Sequence, residues 1–567
     1  MIKPKGGIVI VAVLLATVLP VSVGQGLDPA LLTKPLADQW PTYSGDYTSR
    51  RYSALDQVNQ SNIKNLALAW TARLTAGAAG PGVYSISSTA QQPPTIIGGE
   101  AAEAVQVGGN FGNGPGAVVG GILEVNGVLY MSAPDNAWAV DAEDGTVIWH
   151  YFWKTKGGTH VGNRGIGMYG DWVYFETPDD YLVCLDAKTG KERWHKEIAD
   201  FDEQYFSTTA PLVIGNHLLV GTGDDLDAPG FLQSYDPETG ELQWKFYTVP
   251  MKSGDPGLDT WASLDAASHG GGQAWNVGAY DPETHLYIFG TGNPTPANVT
   301  PTRGEGDNLF TCSLLAVNVD TGKMAWYFQT SPHDTHDWDS TQTPVLVDGV
   351  FRGKLRKLVL QGTRNGYFFV LDRVTGEHLL TGKYSESANW AAHVDQTGEP
   401  RRNPEKDFTV PGSLVSPSNL GATNWPPPSF DPVTGLLYIC TNESFSMYYL
   451  MDPDPRDVTG LGGGQEVGLG SLGTSIEAID YKTGRIVWKH MFDSATSTGI
   501  GLLTTAGNLL FGSDPMGNFI AFDPATGTPL WHARIGQVMN APETYMLEGR
   551  QYVLVSGGDT IYAFALN

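Results

Sequence analysis

The chain has 567 residues, with 60 Asp and Glu against 34 Lys and Arg and a formal net charge of −26. So acidic a chain repels phosphate backbones, which argues against nucleic acid as a partner and fits solubility or a basic protein partner. The 70 Gly, 36 Pro and 16 Trp describe many short strands joined by turns, not helices. Cys184, Cys312 and Cys440 stand far apart and form no CxxCH, so neither a fused c-type haem domain nor a disulfide framework is expected.

At the N-terminus, Lys3 and Lys5 precede an apolar run from Ile8 to Pro20 and the small residues Ser22-Val23-Gly24 before Gln25. That order predicts a secretory signal peptide over 1–24, its apolar stretch too short to span a bilayer comfortably. No cysteine follows it, which argues against a lipid anchor. The mature chain, 25–567, is expected to be a single soluble domain, periplasmic or secreted, with no membrane span.

One pattern then recurs: Asp or Asn, two variable residues, usually Thr-Gly, and a short strand carrying Trp. It appears as Asp141-Ala-Glu-Asp-Gly145…Trp149, Asp186-Ala-Lys-Thr-Gly190…Trp194 and Asp236-Pro-Glu-Thr-Gly240…Trp244. It returns as Asn318-Val-Asp-Thr-Gly322…Trp326, Asp480-Tyr-Lys-Thr-Gly484…Trp488 and Asp523-Pro-Ala-Thr-Gly527…Trp531. Asp372-Arg-Val-Thr-Gly376 has the turn without the Trp, and Trp70 ends a comparable strand without the turn. The Asp side chain can cap amides two residues on, Gly supplies the positive φ of a tight hairpin, and Trp offers a flat surface to seal one sheet on the next.

From Asp141 the steps are 45, 50, 82, 54, 108 and 43 residues, and the two long ones predict a degenerate repeat inside each, near Asp281 and Asp431. A period near 45 with turn-rich strands predicts an all-β, eight-bladed β-propeller of four-stranded antiparallel blades. A β-helix or tandem small domains would leave strand edges bare, which closure of a ring avoids.

The opening Trp40-Pro-Thr-Tyr-Ser-Gly-Asp-Tyr…Arg51-Tyr-Ser-Ala-Leu…Asn62-Ile-Lys-Asn-Leu…Trp70 resembles the start of the quinoprotein alcohol dehydrogenases, and the similarity runs to the C-terminus. The resemblance implies pyrroloquinoline quinone on the propeller axis, chelated to Ca²⁺ or a lanthanide. In Gly272-Gln-Ala-Trp275-Asn-Val-Gly-Ala-Tyr280, followed by Gly290-Thr-Gly-Asn293, it implies Trp275 as the floor under the quinone and Asn293 as a metal ligand. A flat ring suits a planar cofactor and an amide oxygen suits a hard cation, although Trp275 also reads as one more blade-sealing Trp.

In Ser331-Pro-His333-Asp334-Thr-His336-Asp337-Trp338-Asp339 the resemblance makes Asp337 the catalytic base and a metal ligand. It adds Asp339 as a further ligand that makes a larger trivalent ion an option. His333, Asp334 and His336 alone could read as a zinc site, but such residues more often hydrogen-bond within a loop. Arg164 and Thr208 match groups that hold cofactor carboxylates, Arg364 matches the basic residue near the quinone oxygens, and Asn424-Trp425 match another cofactor-proximal pair. Thr222-Gly223-Asp224-Asp225 replaces the family's Ser-Gly-Ala-Glu, which places Gly223 and Asp224 at the cofactor and Asp225 as a shortened metal ligand.

Three further departures surround the same pocket: Val119 where the family has Glu, Gly158-Thr159 where many members have adjacent cysteines, and Gly499 for a pocket Trp. The leading reading is an oxidoreductase: an alcohol loses a proton to Asp337 and hydride to the quinone, and electrons pass to an external acceptor such as a soluble c-type cytochrome. The other is a cofactor-free, non-catalytic propeller serving as a binding scaffold, with the Gly-rich stretches 108–121 and 460–470 as ordinary loops.

Overall fold

The computed structural model describes residues 26–77, 96–98, 117–156, 158–160, 162–224, 226–298, 301–451, 464–492, 500–538 and 540–567. The expected signal peptide, Asp225 and Gly499 lie outside the described residues. Among those described, eight sheets hold four or five strands each. Seven follow in chain order as antiparallel meanders over 123–152, 167–197, 212–247, 279–329, 345–383, 429–492 and 503–534, the seventh gaining Tyr52–Ser53 as a parallel edge. The eighth joins Glu543–Leu547, Arg550–Gly557 and Thr560–Leu566 to Leu66–Arg73, so a strand from near the beginning of the chain completes the last sheet.

The repeat explains how the sheets dock. Asp141, Asp186, Asp236, Asn318, Asp372, Asp480 and Asp523 each accept a backbone N–H two or three residues on, and each caps the last hairpin of its sheet. The indole N–H groups of Trp70, Trp149, Trp194, Trp244, Trp326 and Trp488 donate at 2.8–3.3 Å to backbone carbonyls in the turn of the following sheet. Each ring lies against that turn's glycine: a Cβ on Gly145, Gly190, Gly240, Gly322, Gly376 or Gly527 would stand 2.5–3.0 Å from side-chain atoms there, the indole among them in every case. Glycine therefore serves twice, for φ of 64–82° and for the flat contact. At the one junction without Trp, Leu380 lies on Gly484. Trp531 meets Phe564 of the eighth sheet at 5.4 Å between ring centres, and Trp70 carries the circuit back to the first. The circuit of docked sheets is a β-propeller.

The long steps are not hidden repeats. The Asp281 turn joins the first two strands of the fourth sheet, and the Asp431 turn does the same in the sixth, so each belongs to a sheet already counted by its last hairpin. The extra length goes into excursions between sheets, including Leu258–Thr260 and Leu264–Ser268, and Ala391–Val394 paired with Pro400–Arg402. The stretch from Gly464 is strand, paired along Leu436–Leu450, where the scaffold reading expects an ordinary loop.

The opening motif closes the inner edge. The carbonyls of Tyr47, Thr48, Arg50 and Arg51 accept N–H groups of Tyr280, Leu346, Phe430 and Thr504, which belong to the fourth to seventh sheets in order. The wholly buried Arg51 donates to the carbonyls of Tyr43, Leu502 and Pro542, stacks 5.0 Å from the Trp40 ring centre and lies 3.9 Å from Glu543.

Two predictions follow from these contacts. Gly190→Ala combines left-handed strain with a Cβ 2.7 Å from the Trp149 ring, whereas Gly215→Ala has φ of 60° and open space around it. Gly215→Ala is expected to cost about 1–2 kcal/mol and Gly190→Ala roughly 1–3 kcal/mol more, read as a larger fall in thermal midpoint. Burial pushes Glu124 and Glu543 up to about 8. Both keep a proton in the folded state where the unfolded chain has lost it, so stability falls as pH rises from the ordinary glutamate range through about 8. Thermal midpoints taken from pH 5 to 9 are expected to fall less steeply for Glu124→Gln.

Candidate active site

The segments that lead into the first strand of each sheet line the inner edge, and they carry most of the expected site residues. Arg164 precedes the second sheet, Thr208 the third, Trp275 the fourth, Asp337 and Asp339 the fifth, and Asn424 and Trp425 the sixth. Their neighbours interlock: the backbone N–H of Arg164 donates to Thr208 O at 2.9 Å, and Asn276 Nδ2 donates to Thr341 O at 2.9 Å.

Trp275 is buried, and its indole N–H donates to Asp339 Oδ2 at 2.9 Å. The other Asp339 oxygen accepts the backbone N–H of Asn293 at 2.7 Å, and Arg364 Nη1 stands 3.2 Å from Oδ2. One buried carboxylate thus joins the Trp, the Asn and an arginine. The Arg164 guanidinium lies 4.3 Å from the Trp275 ring centre and 5.2 Å from that of Trp425, and the Arg364 guanidinium lies 5.3 Å from Trp275. Arg164 Nη1 also donates to the Thr208 hydroxyl, to Thr208 O at 3.3 Å and to Trp275 O at 3.1 Å. Burial lowers the Arg164 pKa; Tyr43 opposes that shift and Arg364 adds to it. Two guanidinium groups close to one indole, with Asp339 as near counter-charge, suit a flat polyanion.

Asp337 is the more open of the two acids, its side chain 28% exposed against 6% for Asp339. It holds a left-handed backbone, φ 63°; its carbonyl accepts from Arg364 Nη1 at 3.1 Å and its carboxylate lies 3.8 Å from the same group. Asn293, Asp337 and Asp339 are oxygen donors that fit a hard cation. Among the described residues no three His, Cys, Asp or Glu side chains converge as a metal cage.

The remaining positions sit at the margin. Gly223 exchanges both backbone hydrogen bonds with Phe206, and a Cβ there would stand 2.0 Å from the Phe206 ring. Asp224 Oδ2 accepts from the N–H groups of Leu226 and Ala228, shaping its own loop. Asn424 Oδ1 accepts from the Trp425 N–H, and its Nδ2 donates to Leu420 O. Val119 is buried and apolar beside Gly120, which abuts Arg164. The histidines are absorbed locally: His333 Nδ1 meets Gly306 O, His336 Nε2 meets Lys406 O, and Asp334 accepts the N–H groups of His336 and Trp338. All three cysteines are free and buried.

Three residues near Arg164 escaped the motif reading. Tyr43 is buried in the opening segment, and Glu176 and Asp180 are fully buried in the second sheet. Tyr43 stands within the opening motif without a role of its own there, and the one sequence signal for Glu176 is an acid closing the apolar strand Trp172–Glu176.

The family model for the glucose/ethanol/alcohol dehydrogenase β-propeller domain (PQQ) matches residues 40–388, and one for the outer membrane protein assembly factor BamB matches 473–567. The chain is 33% identical to the quinohemoprotein alcohol dehydrogenase ADH IIB of Pseudomonas putida, over 95% of this chain and 76% of that protein. It is 33% identical to the quinoprotein alcohol dehydrogenase PedH of Pseudomonas putida, over 90% and 84%. Among solved structures, the quinohemoprotein alcohol dehydrogenase ADHIIG of Pseudomonas putida HK5 superposes with a TM-score of 0.80 at 28% identity, covering 96% of this chain and 83% of that one. A europium-containing methanol dehydrogenase superposes with a TM-score of 0.79 at 25% identity, covering 95% and 99%. The fold and the site define an oxidoreductase of the quinoprotein class. The chain belongs to the family of pyrroloquinoline quinone-dependent alcohol dehydrogenases.

Asp339→Asn removes the buried counter-charge of Arg364 and turns a donor toward the Trp275 N–H. It is expected to destabilise the fold by about 3 kcal/mol. Asp337→Asn, at a more open position, is expected to cost within about 1 kcal/mol. Chemical denaturation of the two variants side by side checks the contrast.

Proposed function

We propose that this chain is an exported dehydrogenase that oxidises an alcohol or related hydroxyl compound, with pyrroloquinoline quinone and Ca²⁺ or a lanthanide at the axis of an eight-bladed propeller. The observation that carries this reading is the pair of guanidinium groups beside the buried Trp275 indole, which is tied through Asp339 to Asn293. The eight sheets are read as the eight blades of one ring. No helix among the described residues is long and apolar enough to cross a membrane.

In this reading Trp275 is the stacking floor. Arg164, Thr208 and Arg364 hold the anionic groups of the cofactor, with Gly223, Asp224, Asn424 and Trp425 around them. Asn293, Asp337, Asp339 and Asp225 hold the cation. When bound, the quinone supplies the hydride acceptor and the cation polarises it. Asp337 takes the proton of the substrate hydroxyl on its carboxylate, with Arg364 as counter-charge 3.8 Å away. Trp275 and Trp425 exclude water from the faces they cover. Electrons leave to an external acceptor such as a soluble c-type cytochrome. The missing cysteine pair and Val119 make a roomier pocket, and the same departures are what a cofactor-free scaffold would show.

Purified protein incubated with pyrroloquinoline quinone and Ca²⁺ or La³⁺ is expected to retain the quinone and to oxidise alcohols in a dye-linked assay. Asp337→Ala is expected to lower the rate about 10²–10⁴-fold. Failure to retain quinone with either metal would overturn the proposal in favour of the scaffold.

A further inference from the structure

Behind Arg164, the second and third sheets meet through two carboxyl groups that the catalytic reading leaves unused. Glu176 ends the strand Trp172–Glu176, and Asp180 sits in the turn that follows with φ of 65°, fixed by backbone bonds to Thr177 O and from the Ile198 N–H. Both are wholly buried. Asp180 Oδ1 accepts the Ser207 hydroxyl at 2.8 Å, and Glu176 Oε2 accepts the Thr209 N–H at 3.0 Å. The residue between those two contacts is Thr208, which holds Arg164 through its carbonyl and its hydroxyl. Glu176 reaches the other neighbour of that contact as well: its carbonyl accepts from Asn163 Nδ2 at 3.2 Å, and Asn163 Oδ1 accepts the Gly165 N–H at 2.9 Å. Arg164 is therefore flanked on both sides by atoms anchored to one buried glutamate.

A carboxyl group taken from water costs free energy unless its oxygens are used, and here Glu176 Oε1 and Asp180 Oδ2 are buried with no hydrogen-bond partner. Burial pushes both groups well above the usual carboxylate range. Packing alone would favour apolar side chains at both positions. What the two acids provide is a grip at each end of a three-residue segment whose middle side chain turns toward Arg164.

We infer that Glu176 and Asp180 form a two-point cradle that fixes Ser207-Thr208-Thr209 and so aims Thr208 at Arg164, which makes both acids positioning residues for the anion-binding side of the cofactor site. This rests on the quinone reading proposed above. The cradle acts through Thr208, not on the ligand, and that separates it from a merely structural role.

The test is a titration of the apo-protein with pyrroloquinoline quinone in the presence of Ca²⁺ or La³⁺, followed by quenching of tryptophan fluorescence, with thermal midpoints as the check on folding. Glu176→Ala and Ser207→Ala are each expected to weaken binding about tenfold. Glu176→Gln, which keeps the oxygen that accepts from Thr209, is expected to stay within about twofold of wild type. In a Thr208→Ala background the same Glu176 and Ser207 changes are expected to add less than about twofold, because the group they position is gone. Equal losses in both backgrounds, a Glu176→Gln variant as weak as Glu176→Ala, or unchanged binding in all of them would overturn the cradle while leaving the quinone reading intact. A wild-type protein that binds no quinone would overturn both. Should Glu176→Ala not fold, Ser207→Ala and Glu176→Gln decide the question alone, since neither removes a buried carboxyl without replacing its shape.

Discussion

Six junctions between sheets rest on the same contact: an indole from the outer strand of one sheet laid flat on the turn glycine of the next, with its N–H on a carbonyl of that turn. The contact does two things that one apolar residue could not. It buries a large flat surface, and it gives a hydrogen bond to a turn carbonyl at a sheet-to-sheet seam. Because the ring comes from one sheet and the glycine from the next, every junction fixes the spacing of its neighbours, and an even spacing all round is what lets the eighth sheet meet the first. Leu380 on Gly484 shows that the flat contact tolerates loss of the indole at a single seam. The strand Leu66–Arg73, paired along Thr560–Leu566 by backbone hydrogen bonds, then joins the two ends of the described chain in one sheet.

That outer ring of contacts frees the inner edge from structural duty. The segments entering the first strand of each sheet are brought side by side without needing apolar side chains to do it, and they carry Arg164, Thr208, Asn276, Asp339 and Asn424 instead. Such polar groups are tolerable when buried because they satisfy one another. Asp339 is the clearest case: it takes the Trp275 N–H, the Asn293 N–H and Arg364 at once. The opening segment finishes the arrangement by passing its carbonyls from sheet to sheet and driving Arg51 inward among the carbonyls of Tyr43, Leu502 and Pro542. A chemical site on the axis is thus a by-product of where the repeat places its seams.

The repeat was legible because its parts are local. An Asp, a turn glycine and a Trp within nine residues specify a capped hairpin and a docking ring whatever lies elsewhere in the chain. Trp275 was separable from the seam tryptophans for a similar reason: it stands ahead of its strand and not after a turn, and the structure gives its N–H to Asp339 and not to a neighbouring turn. The same local rule misled at Asp281 and Asp431. A capped Asp turn can form either the first or the last hairpin of a sheet, and nothing within the turn says which. Glu176 and Asp180 were illegible for the opposite reason, since their meaning depends on Ser207 and Thr209, which are neighbours only in space.

The sequence by itself determined the all-β class, the period of the sheets, the residues that seal them and the order of Arg164, Thr208, Trp275, Asp337 and Arg364 along the chain, because each depends on contacts over a few residues or on a motif read directly. Only the tertiary structure decided that Asp339 is the hub of the site, that Arg164 and Arg364 both approach one indole, and that the long steps hold excursions and not extra repeats. Those facts depend on segments far apart in sequence meeting at an inner edge, where one carboxylate can serve three donors only after the circuit of sheets has closed around it.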